Sequence, residues 1–258
     1  MVKLWIELWR RDGLSREAFL ERLAGDHAGS VAAGAEALAV RRAVLNRRIA
    51  APEIDAFSDE RGWAPAGDAM LELWFDDVAA LETALASAEG RQALARIEAV
   101  EREIADTSRS SAVATREHVV FDLFPPDAPA TSTGTARVKL VVQNQGRPEL
   151  TLEQFMEHWI ERHGPLVREV GPALGYRRYV QDHPLASPVL EAYASSRGWR
   201  TAPGGGVTEV WWDSRESQLA AFASEEGRQA SALMAEDEPR FVHPPVMTAL
   251  LCTEQITR

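Results

Sequence analysis

The stretch EHWIERHGPLV, residues 157–167, carries a run of helix-type residues into His163, with Gly164 and Pro165 directly behind it. An imidazole changes charge near neutrality, so a histidine placed at a ligand can take or give a proton at ordinary pH. Gly-Pro is expected to close the helix and leave His163 projecting from its end. The alternative use is structural, an imidazole satisfying the last carbonyls and the helix dipole. The following run, LGYRRYVQDH, adds Tyr176, Tyr179, Asp182 and His183. A tyrosine hydroxyl can donate to a developing enolate oxygen, and Asp182 or His183 could serve as the complementary acid or base. Glu209, in VTEVWWD, is a secondary candidate, because an inward-facing carboxylate is desolvated and its pKa raised. Trp199 and Trp211 can exclude water or stack on an aromatic ring, although repeated tryptophans also serve as scaffold.

Other chemistries lack their signatures. His158 and His163 are five residues apart, about 140° around a helix, which is poor spacing for a shared metal. The chain has one cysteine, Cys252, so no thiolate cluster or internal disulfide is available. APGGGV, 202–207, precedes a strand instead of opening a helix, and reads as a loop at a pocket rim. No GxSxG elbow and no GxGxxG fingerprint occurs. The expectation is a site without metal or other cofactor.

A weaker copy of the histidine segment, ERLAGDHAGSV, stands at 21–31, and His27 falls on His163 when the chain is slid by 136 residues. The same offset superposes VKL (2–4) on VKL (138–140) and RGW (61–63) on RGW (197–199). One inserted residue later, ELWFD (72–76) matches EVWWD (209–213) and ASAEGRQA (86–93) matches ASEEGRQA (223–230). The chain is a tandem duplication. FPPDAPATSTGTA, 124–136, is the expected linker between an N-terminal repeat, 1–123, and a C-terminal repeat, 137–258.

The copies differ where chemistry would lie. Tyr176, Tyr179, Asp182 and His183 align with Val40, Ala43, Asn46 and Arg47. A working pocket is therefore expected in the second repeat, with the first as its structural partner; His27 is retained as a secondary binding candidate. Each repeat reads as a branched and aromatic strand, a helix capped by Ser15 or Thr151, two further strands, one or two short helices and a last strand. This is a β-α-β-β-α-β unit, ferredoxin-like, with one sheet face left for a partner. An α+β fold follows, in which the two antiparallel sheets pack against each other within one chain. Alternation puts Tyr179, Gln181 and His183 on one face and Tyr176, Arg178 and Asp182 on the other, without saying which looks into the cavity.

Through the VKL strands, the HWIERHGPLV helix, YRRYVQDH, EVWWD and SEEGRQA, the chain resembles the EthD family of the dimeric α+β barrel superfamily over nearly its whole length. The resemblance implies a barrel formed within one chain and a pocket between sheet and helices for hydrophobic, often aromatic, small molecules. Relatives of this barrel type include cyclases, dehydratases, isomerases, cofactor-free monooxygenases and haem-handling proteins. The leading expectation is a cofactor-independent acid–base enzyme, a lyase or isomerase acting on a small aromatic or polyketide-like compound. The alternatives are a carrier for such a compound or for haem, and a cofactor-free monooxygenase.

The formal charge of −11 and the absence of Lys/Arg clusters oppose nucleic acid and anionic membrane as partners. No apolar run approaches the roughly 20 residues of a membrane span. A cytoplasmic protein is the default, and further dimerisation of the tandem is compatible with the fold.

Overall fold

A computed structural model describes residues 1–125, 136–201 and 205–258. The first repeat runs β1 (Val2–Leu8), α1 (Arg16–Arg22), α2 (Ala28–Gly34), β2 (Arg42–Arg48), α3 (Pro52–Glu60), β3 (Ala69–Phe75), α4 (Val78–Ala86), α5 (Ala88–Ile104) and β4 (Ser111–Asp122). The second follows the same order: β5 (Val138–Gln145), α6 (Leu152–His158), α7 (Gly164–Val170), β6 (Arg178–Pro184), α8 (Pro188–Ser196), β8 (Gly205–Trp212), α9 (Arg215–Ala223), α10 (Glu225–Asp237) and β9 (Thr248–Ile256). A two-residue strand, β7 (Arg200–Thr201), is inserted between α8 and β8. Most of the expected linker, and residues 202–204 of the glycine-rich run, lie outside the described residues. Gly205, Gly206 and Val207 belong to strand β8.

Within each repeat the sheet order is that of a ferredoxin-like unit, β4-β1-β3-β2 and β9-β5-β8-β6. The open faces of the two sheets do not meet as separate packed layers, as their lack of a helical cover suggested; the expected intrachain barrel forms by another route. The sheets join edge to edge, β2 to β9 and β4 to β6, so that eight strands close into a dimeric α+β barrel within one chain. Closure pairs the strand edges that each four-stranded sheet would otherwise leave open.

Period-2 alternation then has a definite meaning. On β1, Leu4, Ile6 and Leu8 point outward into the helix-covered core of the first repeat, while Lys3 and Trp5 point into the barrel. Inside, Trp5, Met70, Val141, Val207, Leu250 and Cys252 form an apolar plug. Beside it lies an ionic layer. Lys3 contacts Glu117 at 2.7 Å, Asp182 at 3.1 Å and Glu209; Lys139 contacts Glu72, Glu209 and, at 3.3 Å, Glu254. Five carboxylates surrounding two ammonium groups cannot all be charged cheaply in a dry interior, so a proton must be retained. Burial, only partly offset by Lys3, pushes Asp182 well above the ordinary carboxylate range. Glu209 goes the other way: burial would raise it, but Lys139 and Lys3 together hold it below that range.

One helix per repeat was not legible in the sequence. α3 and α8 each start with proline at the first turn. They are exchanged between the repeats. Ile54, Phe57 and Trp63, at and beyond α3, pack on the core of the second repeat, and Leu190, Tyr193 and Trp199, at and beyond α8, pack on the core of the first.

Candidate active site of the second repeat

The helix carrying His163 does not stop at Gly164-Pro165. It continues from α6 through a π turn, Trp159–His163, directly into α7, with Gly164 at φ −56° and ψ −50°. Pro165 has no N–H to give and would crowd a regular helix. The widened turn accommodates it: Gly164 N–H bonds to the Trp159 carbonyl, which also accepts from Gln181 Nε2 at 2.9 Å. Such single π turns are frequent at functional sites. The first repeat has the same turn at Leu23–His27.

The turn lays Trp159 against β8 and aims His163 into a cavity between the helices and the outer sheet face. Gly206 is required there, because a Cβ at that position would lie 2.5 Å from the Trp159 ring and 2.7 Å from the Asp182 carbonyl. His163 is 4 % exposed, and its Nδ1 lies 2.9 Å from Asp237, whose other oxygen meets His158 Nε2 at 2.9 Å. Burial raises the Asp237 carboxyl, but the bonds from His163 and His158 outweigh it and leave the group below its usual range. A carboxylate on Nδ1 selects the tautomer with its proton on that nitrogen. Nε2 is left for a ligand, and it has no hydrogen bond among the described residues.

Around the imidazole stand Phe241, 5.0 Å between ring centres, and Tyr179 at 6.4 Å; Tyr179 stacks at 6.3 Å on Tyr176. Burial raises both phenols, so they are hydroxyl donors. Asn144, Thr208 and Glu238 complete the polar lining, and Phe57 and Trp63 close the wall from the other repeat. Burial raises Glu238, with Arg61 of the first repeat pulling it back through a 3.1 Å bond. The cavity is a slot of about 50 Å³, with about 480 Å³ of atom-free space counted out to its opening.

The structure brings together His163, Tyr176 and Tyr179 from the expected residues and separates the rest. Tyr176 shares the Tyr179 side because β6 begins only at Arg178, so strand alternation does not reach residue 176. Asp182 points into the barrel, bound to Lys3, on the opposite face of β6. It is therefore no partner for His163. His183 lies on the helix side but outside the cavity lining, stacked on His118 at 5.1 Å; burial, then His118, push it down to about 4. Glu209 and Trp211 are inside the barrel, with Trp211 Nε1 donating to Glu254 at 3.1 Å. The expected rise in the Glu209 pKa is a fall instead, because two lysines face it. Trp199 lines the cavity of the first repeat, and its equivalent Trp63 takes the place expected of it. His27 is sealed in the first repeat against Glu101 at 2.8 Å. Asp237, Glu238, Arg61 and Phe241 were missed. The offset of 137 pairs Glu101 with Glu238, and following it to the end of the last helix would have flagged that acidic segment.

Cofactor chemistry meets specific geometry. Glu117, Asp182 and Glu209 bring carboxylate oxygens within 4.8 Å of one another, the one such metal-type group among the described residues. The Lys3 ammonium already fills it. A haem iron would call on His163, but a macrocycle exceeds the slot of about 50 Å³ so far that Tyr179 and Phe241, which pack on the imidazole itself, would have to be displaced along with Trp63.

Comparison with known proteins agrees with this architecture. The sequence profile of the EthD domain matches residues 11–108 and again 147–245. The chain belongs to the EthD domain family, as a tandem of two copies. No curated protein matches it in sequence. Among solved structures, an anthrone oxidase-like protein superposes with a TM-score of 0.59 at 12 % identity, covering 99 % of this chain and 93 % of the other. A candidate monooxygenase from Fusobacterium nucleatum gives 0.52 at 8 % identity, covering 100 % and 92 %. An EthD family protein from Bacillus halodurans is 24 % identical over 46 % of this chain and 99 % of its own, with a TM-score of 0.32. At these identities the likeness is one of fold. No helix among the described residues is long and apolar enough to cross a membrane.

Proposed function

We propose that the second-repeat cavity is the active site of an acid–base enzyme acting on a small aromatic or polyketide-like carbonyl compound, with His163 Nε2 removing a proton from a carbon beside the carbonyl or conjugated with it through an aromatic ring. The observation that carries this is the anchoring of His163 Nδ1 by Asp237 at 2.9 Å, inside an aromatic slot. Tyr179 or Tyr176 donates to the enolate oxygen, and the same imidazole returns the proton for isomerisation, cyclisation or loss of a leaving group. Asp237 is a positioning residue, fixing ring orientation and stabilising the imidazolium. A ring-sized substrate needs more than the slot offers, so the wall of Phe57 and Trp63, supplied from the other repeat, must give way on binding.

Anthrone, suggested as a probe by the anthrone oxidase-like structural neighbour, has an acidic methylene opposite the carbonyl in its central ring and conjugated with it through the flanking rings, so that its deprotonation gives an enolate-type oxyanion. In D2O the protein should accelerate exchange of that methylene over buffer, and His163→Asn should remove the acceleration. Binding without exchange would make the protein a carrier. Oxygen uptake dependent on both anthrone and protein would point to cofactor-free oxygenation, with His163 forming the carbanion that reacts.

A further inference from the structure

At one end of the barrel, away from the His163 cavity, the strands open into a cup of about 670 Å³. Its size is in the range of small-molecule sites. Trp9, Ser108, Arg109 and Ser111 come from the first repeat, and Gln143, Gln145, Arg200 and Thr248 from the second. Below them the apolar plug around Trp5 and Val141 separates the cup from the ionic layer. The cup shares no lining residue with the cavity of His163.

Two features distinguish this mouth from a merely unfilled barrel end. The chain carries 39 acidic and 28 basic residues, yet the described lining holds two arginines and no carboxylate. The arginines also break the internal symmetry: the offsets place Val246 opposite Arg109 and Ala64 opposite Arg200, so positive charge is present on one side only. Both are held in place. Arg109 lies over the Trp9 ring at 3.6 Å, and Arg200 is fixed at the rim by β7, its N–H bonded to the Ser110 carbonyl at 2.9 Å and its guanidinium to the Arg109 carbonyl at 2.9 Å. Two acids lie behind the lining: the buried Glu7, 3.7 Å from Arg200 and accepting from the Ser111 hydroxyl at 3.3 Å, and Asp106, which feels the charge of Arg109; Arg109 makes no ion pair within 4 Å among the described residues.

The geometry points to the barrel mouth as a second binding site, for a small organic carboxylate. Guanidinium groups match a carboxylate through paired N–H donors. The hydroxyls of Ser108, Ser111, Thr201 and Thr248 and the carboxamides of Gln143 and Gln145 provide both donors and acceptors for a hydroxylated or polyacidic molecule.

Titration calorimetry of the full chain with citrate tests this, with inorganic phosphate run beside it. Citrate should bind, more weakly as salt is raised, and the double variant Arg109→Gln/Arg200→Gln should lose affinity about tenfold or more. Should Arg200→Gln unsettle β7, the single variant Arg109→Gln, whose side chain bears no strand, decides by the same loss. No heat up to roughly 10 mM citrate, where even a millimolar site would fill, or unchanged affinity in the variants, overturns the site. Phosphate binding as tightly as citrate overturns the carboxylate assignment.

Discussion

The two repeats place the same histidine on the same π turn and then treat it in opposite ways. In the first, His27 presents Nε2 to Glu101 at 2.8 Å, and Arg197 of the other repeat clamps the same carboxylate. Burial would raise Glu101, but His27 and then Arg197 hold it low, and the remaining lining is aliphatic and aromatic, with Tyr193 and Trp199 supplied by the other repeat. In the second, the acid has moved one helix position, from the site of Glu101 to that of Val100, and Asp237 takes Nδ1 instead. The Glu101 equivalent, Glu238, is left to Arg61. One step of register on the last helix thus converts an imidazole locked by its distal nitrogen into one braced from behind.

The widest separation between the repeats should appear in paired histidine variants. His163→Asn is expected to cut anthrone exchange by about 10²- to 10⁴-fold, the usual contribution of a positioned acid–base group. His27→Asn should leave exchange nearly intact and lower stability instead, by about 2 kcal/mol, because Glu101 loses one buried hydrogen-bond partner. Exchange kinetics and denaturant melts on both variants check this. Equal loss of exchange in the two would break the comparison.

Next in size is the exchange of tryptophans. Trp63 belongs by sequence to the first repeat but closes the second cavity, and Trp199 does the converse. Trp→Ala at either buried position should cost about 3–5 kcal/mol of stability. Only Trp63→Ala should also change the KM for anthrone, and Trp63→Phe should restore most of it. A KM that responds to Trp199→Ala instead would place the substrate in the first repeat.

This exchange also marks where sequence reading ends. The offset made the duplication, the strand set and the family visible, because repeated local sequence encodes repeated local structure. Yet RGW at 61–63 and RGW at 197–199 are identical, and nothing local says that each tryptophan crosses to the other copy's core. Alternation likewise sorted Tyr179 from Asp182 correctly, since both lie within β6, but failed for Tyr176 before the strand began. Which face looked inward was decided by barrel closure, a long-range event. The repeated VKL was conspicuous, but a strand lysine ordinarily reads as solvent-facing, whereas Lys3 and Lys139 are each 1 % exposed.

The smallest expected effect probes the same asymmetry inside the barrel. Glu254 and Glu117 occupy equivalent positions by the offset of 137. Glu117 is 21 % exposed and lies 3.3 Å from Arg178 in addition to Lys3, whereas Glu254 is buried with Lys139 as its one cation among the described residues. Burial, opposed by Lys139, pushes Glu254 up to about 6 from an ordinary 4.5. A carboxyl raised on folding contributes stability below its unfolded pKa and loses it as pH climbs through the folded value. The contribution should therefore be full below pH 4.5 and gone above about 6, a change of about 2 kcal/mol. Glu209, Glu101 and Asp237, all lowered, pull the other way, losing stability as pH falls. Asp182, Glu238 and Glu7, raised by burial, act in the same direction as Glu254; Glu254→Gln removes only Glu254's own contribution, so the stability difference between wild type and variant should shift in the variant's favour by that amount between pH 4.5 and 7. A difference flat across that window, measured by urea unfolding, would mean that Glu254 does not titrate apart from the rest of the network, whose retained proton sits on Asp182.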